Sequence, residues 1–236
     1  MPDYFEIYNT QAGQYEQLVS REDYQGNILR ALNEIIHLDG LNVVEFGAGT
    51  GRLTCLLAPV VRSIQAFDQS AHMLQVAASR LRESGLHNWQ VAVGEHRNVA
   101  VPGGSADLAI SGWSICYMVV GNDANWQSDL AQALNEMRRV LRPGGTLILL
   151  ETLGTGYEQP QPPADLLAYY EYLEAHGFRR SWIRTDYQFR DMQEAQRLTR
   201  FFFGEATLEK LRQVEQGVIL AECTGIWYFK QQKDTL

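Results

Sequence analysis

The stretch Val43-Val44-Glu45-Phe46-Gly47-Ala48-Gly49-Thr50-Gly51-Arg52-Leu53 sets three glycines in five residues directly behind an apolar run. Glycine loses more conformational freedom on folding than any other residue. Three together therefore mark a backbone that must turn sharply or approach something closely. A strand that stops at Gly-x-Gly-x-Gly and runs into a helix delivers a ligand to the carboxyl edge of a parallel sheet. No Lys-Ser/Thr follows the glycines, which excludes a P-loop. The spacing is not Gly-x-Gly-x-x-Gly, and Glu45 in front of it would repel a pyrophosphate. The same carboxylate suits an ammonium group, so the stretch points to a ligand with a cationic amino-acid end.

Outward from this stretch the chain alternates strands and helices. Tyr4 to Ile36 is mostly helical, with Leu29, Leu32, Ile35 and Ile36 at steps of three and four. Strands are expected at Leu41–Phe46, Ser63–Phe67, Trp89–Val93, Ala106–Ser111 and Thr146–Glu151. Helices are expected at Arg52–Val61, after Ser70 up to Gly85, and at Asp129–Leu141. This rhythm implies βαβ units and a parallel sheet with helices on both faces. Arg142-Pro143-Gly144-Gly145 is expected as the turn into the last of these strands. After Glu151 comes a polar, Pro-rich connection, "LGTGYEQPQPPAD", expected to act as a lid. Helices at Asp165–His176 and Glu194–Phe203 and strands at Trp182–Phe189 and Thr224–Phe229 complete the chain.

Asp68 ends the second strand, where a ribose diol would sit and where a carboxylate accepts from both hydroxyls. It stands equally well as a cap of the helix that follows. With these residues in view, the chain resembles the class I S-adenosylmethionine-dependent methyltransferases. "VVEFGAGTGRLT", "AFDQSAHML", "GSADLAISGWSI" and "MRRVLRPGGTLIL" match four of that family's motifs in order, between Leu41 and about Glu151.

The resemblance implies a Rossmann-like, doubly wound α/β fold: a mostly parallel seven-stranded sheet under an N-terminal helical cap. It implies one domain over residues 1–236, divided into a cap at 1–40, a cofactor-binding half at 41–151, and a C-terminal half at 152–236 with acceptor-side additions. It also implies S-adenosyl-L-methionine as cofactor. Gly47, Gly49, Thr50 and Gly51 would hold its methionine part, with Glu45 in or near the amino-acid pocket. Asp68 and the adjoining Gln69 would hold the ribose. Met73 would pack on adenine, with Glu95 and the His96 backbone at the adenine edge. Ser111 and Trp113 would line the pocket, and Tyr15 would close over the cofactor. For Glu95, Trp113 and Tyr15 the alternatives are a solvated loop carboxylate, core and packing, respectively.

Composition bounds the partners. Of 236 residues 45% are hydrophobic, enough for a sizeable core, and the net charge of -8 without a dense basic cluster argues against nucleic acid. Cys55, Cys116 and Cys223 form no CxxC pair, so neither a disulfide framework nor a metal site is expected. No stretch has the roughly 18 apolar residues of a membrane span, and the N-terminus does not read as a signal peptide. The expected compartment is the cytoplasm and the expected partner a small-molecule methyl acceptor. No catalytic residue is assigned, because transfer from a sulfonium needs chiefly positioning. Arg179-Arg180, Tyr169, Tyr170, Tyr172 and Tyr187 to Phe203 are the candidate acceptor pocket, with core packing as the alternative.

Overall fold

The computed structural model describes residues 4–120 and 125–232. The N-terminal helical stretch is three helices, α1 (Tyr4–Thr10), α2 (Ala12–Val19) and α3 (Asn27–Ile35). Breaks fall at Gln11 and at the turn before Gly26. Gly26 takes a left-handed conformation, and Asp23 accepts from the amides of Asn27 and Ile28. The alternating unit follows as β1 (Asn42–Phe46), α4 (Arg52–Leu57), β2 (Ser63–Asp68), α5 (Ala71–Glu83), β3 (Trp89–Val93), β4 (Ala106–Gly112), α6 (Trp126–Val140) and β5 (Leu141–Thr155).

The remainder is α7 (Leu167–Ala175), β6 (Arg179–Arg184), β7 (Tyr187–Phe189), α8 (Met192–Phe203), β8 (Arg212–Val214), β9 (Gly217–Leu220) and β10 (Glu222–Lys230). Seven strands form one sheet in the order β3-β2-β1-β4-β5-β10-β6. From β3 to β5 the pairing is parallel, and β10 runs antiparallel to both neighbours. Side chains alternate across the sheet. Val44, Phe46, Ala109, Leu147 and Leu149 thus join the core on one face, and Val43, Leu108, Ile110, Ile148 and Leu150 join the core on the other.

Two expectations for the chain are corrected. Arg142 to Gly145 is a bulge inside β5 and not a turn before it: Ala106 pairs with Leu141 while Leu108 pairs with Thr146, leaving the Pro-Gly-Gly residues as the excess. The single strand expected at Trp182–Phe189 is two strands in different sheets, broken at buried Thr185 and Asp186. β7 belongs to a small sheet of order β7-β9-β8, and the hairpin Arg212–Leu220 within it was not expected. Gly217 has φ +107, and a Cβ there would stand 2.2 Å from the Phe189 carbonyl oxygen, so only glycine fits that pairing.

The order of the large sheet positions the site. From β1 the chain proceeds to β2 and β3 on one side and then returns to β4 on the other side. The carboxyl ends of β1 and β4 therefore splay around a crevice at the topological switch point.

Candidate functional site

A cavity of about 630 Å³ opens at that crevice. Its floor is the glycine loop. The amides of Gly47 and Ala48 both donate to the Phe67 carbonyl at the end of β2, at 2.8 and 2.9 Å. Gly47, Gly49 and Gly51 all have positive φ. Nothing lies within 4 Å of the place where a Gly49 Cβ would stand, so the loop is bare on its cavity side.

Asp68 ties this loop to the next helix. Its Oδ2 accepts from Gly49 N and its Oδ1 from Ser70 N, each at 2.8 Å, while Ser70 Oγ caps α5 by accepting from Met73 N. The cap is thus Ser70, and Asp68 braces the loop. Burial raises the Asp68 carboxyl above its ordinary range against those two amides. Glu45, on β1, is 1% exposed and accepts from Thr54 Oγ1 at 2.6 Å. Desolvation pushes it up to about 8.

Tyr15, Glu45, Gly47, Gly49, Thr50, Asp68, Gln69, Met73, Glu95, His96 and Trp113 stand on the cavity wall. Gly51 and Ser111, also expected at the site, do not. Gly51 precedes α4, where a Cβ would press on Ala77 of α5 at 3.0 Å, so its bareness serves helix packing. Ser111 is buried within the sheet between Phe46 and Leu149. Trp113 both lines the cavity and joins a core. It packs against the second core, and it presents its ring to Arg52, whose guanidinium lies 3.5 Å from the ring centroid. It does so at φ +49, a strained conformation for a bulky residue and one that clusters at functional sites.

The rest of the wall escaped the sequence reading. Tyr4 and Tyr8 of α1 meet Tyr117, and Tyr8 Oη donates to Tyr117 Oη at 2.6 Å. Tyr15 packs edge-on to Tyr8, with Phe202 of α8 behind it. Arg52 is ion-paired with buried Glu22, which also accepts from Thr185 Oγ1 and Tyr187 Oη at 3.0 Å. That network clamps the cap to the residue just after the glycine loop. The sequence signals for it were a cluster of tyrosines at the N-terminus and the aromatic stretch Tyr187 to Phe203, which supplies Tyr187 and Phe202.

Apart from Phe202, which backs Tyr4 and Tyr15, the C-terminal residues expected to receive an acceptor lie away from the cavity wall. No described residue beyond Met118 is on the cavity wall. Tyr169 and Tyr170 are core, as are Tyr187 and Phe189. Arg179 lines a separate groove at the far edge of the sheet, with Glu34 and Lys230. Gly154 to Pro163 likewise stay off the cavity, held back on β5 by Gln161 N donating to the Leu153 carbonyl at 2.6 Å. Among the described residues no group of three or more His, Cys, Asp or Glu is placed to hold a metal ion, and no helix is long and apolar enough to cross a membrane.

Residues 44–149 match the model of a methyltransferase domain. A demethylmenaquinone methyltransferase of Listeria monocytogenes is 28% identical over 180 residues, covering 74% of this chain and 68% of that protein. A malonyl-[acyl-carrier protein] O-methyltransferase of Pectobacterium atrosepticum is 32% identical over 150 residues, 61% of this chain and 51% of that one. The crystal structure of the Bacillus subtilis protein YcgJ shares the fold, with a TM-score of 0.58 at 15% identity over 89% of this chain and all of that one. The glycine loop, the braced acid at the end of β2 and the switch-point crevice all fall inside the matched segment. Residues 44–149 thus form a methyltransferase domain, and the matches support reading it as one of the class I S-adenosylmethionine-dependent kind.

Proposed function

We propose that the cavity takes S-adenosylmethionine along the glycine loop and transfers its methyl group to a small-molecule acceptor enclosed under α1 and α2. The observation that carries this reading is the bare cavity side of Gly49 beside two acids, Glu45 and Asp68, at the switch point. Glu45 would face the ammonium of the methionine part, because a buried carboxyl with one free oxygen gains most from a cation. Each Asp68 oxygen already accepts one amide and retains a lone pair for a ribose hydroxyl. Met73, buried at the start of α5, offers its thioether to the adenine face, and Glu95 stands at the ring edge.

The cofactor supplies an activated methyl group on a sulfonium. The chain's own work is then to hold the acceptor in line and exclude water, which the tyrosine wall and the Glu22–Arg52 clamp are built to do. A volume near 630 Å³ is ordinary for small ligands. The acceptors named for the two relatives differ from each other. Tyr4, Tyr8 and Tyr15, which would choose the acceptor, lie outside the matched segment, so neither name is carried over.

Calorimetric titration with S-adenosylmethionine, S-adenosylhomocysteine and NAD tests the cofactor. The first two should bind and NAD should not; tighter binding of NAD would overturn the reading. A turnover assay that follows S-adenosylhomocysteine release across a panel of hydroxyl and amine acceptors tests the transfer.

A further inference from the structure

Gly47 is bare for a reason the cofactor does not explain. A Cβ added there would stand 1.9 Å from Ser114 Oγ and 2.9 Å from His96 Nε2, so those side chains fill the space a Gly47 side chain would need. His96 comes from the loop after β3 and Ser114 from the loop after β4. Their Nε2 and Oγ are hydrogen-bonded at 2.9 Å, and both residues are on the cavity wall. The glycine loop thus gives up a side chain to let a hydroxyl–imidazole pair reach the floor of the site.

We propose that Ser114 and His96 form a proton-accepting pair for the methyl acceptor, so that the site takes acceptors whose reacting oxygen or nitrogen carries a proton. This rests on the reading of the cavity given above. With the ring proton on Nδ1, Nε2 is free to accept from Ser114. As the acceptor atom X attacks, the X–C bond forms and the C–S bond breaks, its electron pair remaining on sulfur. The proton on X passes to Ser114 Oγ, and the Ser114 proton passes to His96 Nε2. One positive charge leaves the sulfonium and one appears on the imidazolium, so the net charge of the closed site is unchanged. That balance matters in a cavity of low dielectric, where creating a new charge is costly.

The other titratable groups of the wall are poorly disposed to take the proton. Glu45 is held by Thr54 and, once the cofactor is bound, would be engaged by its ammonium. Both oxygens of Asp68 accept backbone amides, and Glu95 is exposed and paired with Arg97. Burial raises the phenols of Tyr4, Tyr8, Tyr15 and Tyr117. His96 is held down to about 4, chiefly by desolvation, with Glu95 raising it and Arg97 lowering it, so it waits unprotonated.

The test compares two ligands that differ only by the methyl group and its charge. Histidine rings are followed by NMR through a pH titration in the free protein, with S-adenosylhomocysteine and with S-adenosylmethionine. Backbone-to-ring correlation assigns His96 without any variant. If the imidazole faces the reacting sulfur, its midpoint should be about one pH unit or more lower with S-adenosylmethionine than with S-adenosylhomocysteine, because only the former carries the positive charge. If both ligands shift the Gly47–Gly51 amides but leave His96 at the same midpoint, the pair is structural and the proposal alone falls. If neither ligand shifts those amides, the reading of the cavity falls and the pair falls with it.

Discussion

Glu45 and Glu151 are each 1% exposed and stand on the two strands that flank β4, but on opposite faces of the sheet. Desolvation raises both carboxyls, Glu45 to about 8 and Glu151 to about 7. Their surroundings differ. Glu151 is sealed: its Oε1 accepts from Tyr169 Oη at 3.0 Å and Cys116 N at 3.1 Å, and neither it nor these partners reach the cavity. Glu45 keeps one side bonded to Thr54 and turns to the cavity. Burial alone therefore says nothing of a role. What separates the two acids is whether the neighbouring backbone has been stripped of side chains to admit a ligand.

The largest expected effect comes from refilling the bare loop. Gly49→Val places a branched side chain where Gly49 has open space, at a φ of +55 that valine adopts with strain. The variant should remain folded and lose S-adenosylhomocysteine binding by calorimetry altogether. Undiminished affinity in the folded variant would remove the glycine loop from the site and leave Glu45 no more functional than Glu151.

Asp68→Ala should weaken the cofactor by about 1.5–3 kcal/mol, the range for hydrogen bonds to a charged group. Because Asp68 also braces Gly49 N, part of any loss could come from a loosened loop. A 2′,3′-dideoxy analogue separates the two effects. It should bind wild type and variant about equally if the carboxylate holds the diol, and should show the same loss as the parent if Asp68 only braces the loop.

The paired acids give opposite answers to the same substitution. A carboxyl raised in the folded state from an ordinary 4.5 binds a proton that the unfolded chain has released. Its contribution to stability is full below 4.5 and is lost as pH rises through about 7 or 8, at up to about 1.4 kcal/mol per pH unit. Glu45→Gln and Glu151→Gln should each flatten that decline and melt above wild type at pH 8. Only Glu45→Gln should weaken the cofactor. Equal cofactor affinity in the two variants would erase the distinction drawn between them.

Hydrogen exchange sharpens the contrast between the two ends of the chain. S-adenosylhomocysteine should protect α1 and α2, whose tyrosines wall the cavity, and leave Gly154 to Pro163 unchanged. The sequence pointed to both segments as lids, and the second stays off the cavity for a physical reason. The glycine spacing, Asp68 at a strand end and the βαβ rhythm are local patterns, so the fold of the first 151 residues was legible, as was the sheet-edge part of the cavity wall. Which aromatic residues face the cavity depends on tertiary packing. Tyr8 and Tyr117 are 109 residues apart, and nothing in the sequence separates them from Tyr169 and Tyr170, which are core. Ser114 was equally hidden, because its place is defined by the side chain that Gly47 lacks.

The smallest expected effect is the most specific to Glu45. Held up to about 8, this carboxyl is mostly protonated at pH 7 in the free protein. A ligand ammonium brought beside it favours the carboxylate, so binding should expel the proton. Binding enthalpies at pH 7 measured in buffers of different ionisation heat should therefore report the release of up to one proton. The release should fade toward pH 9, where Glu45 is already ionised, and vanish in Glu45→Gln at all pH values. Glu151→Gln should leave it intact, since that acid does not face the ligand. Proton uptake, or a release that survives in Glu45→Gln, would mean that the ammonium is held elsewhere and that Glu45 is a structural acid like its counterpart on β5.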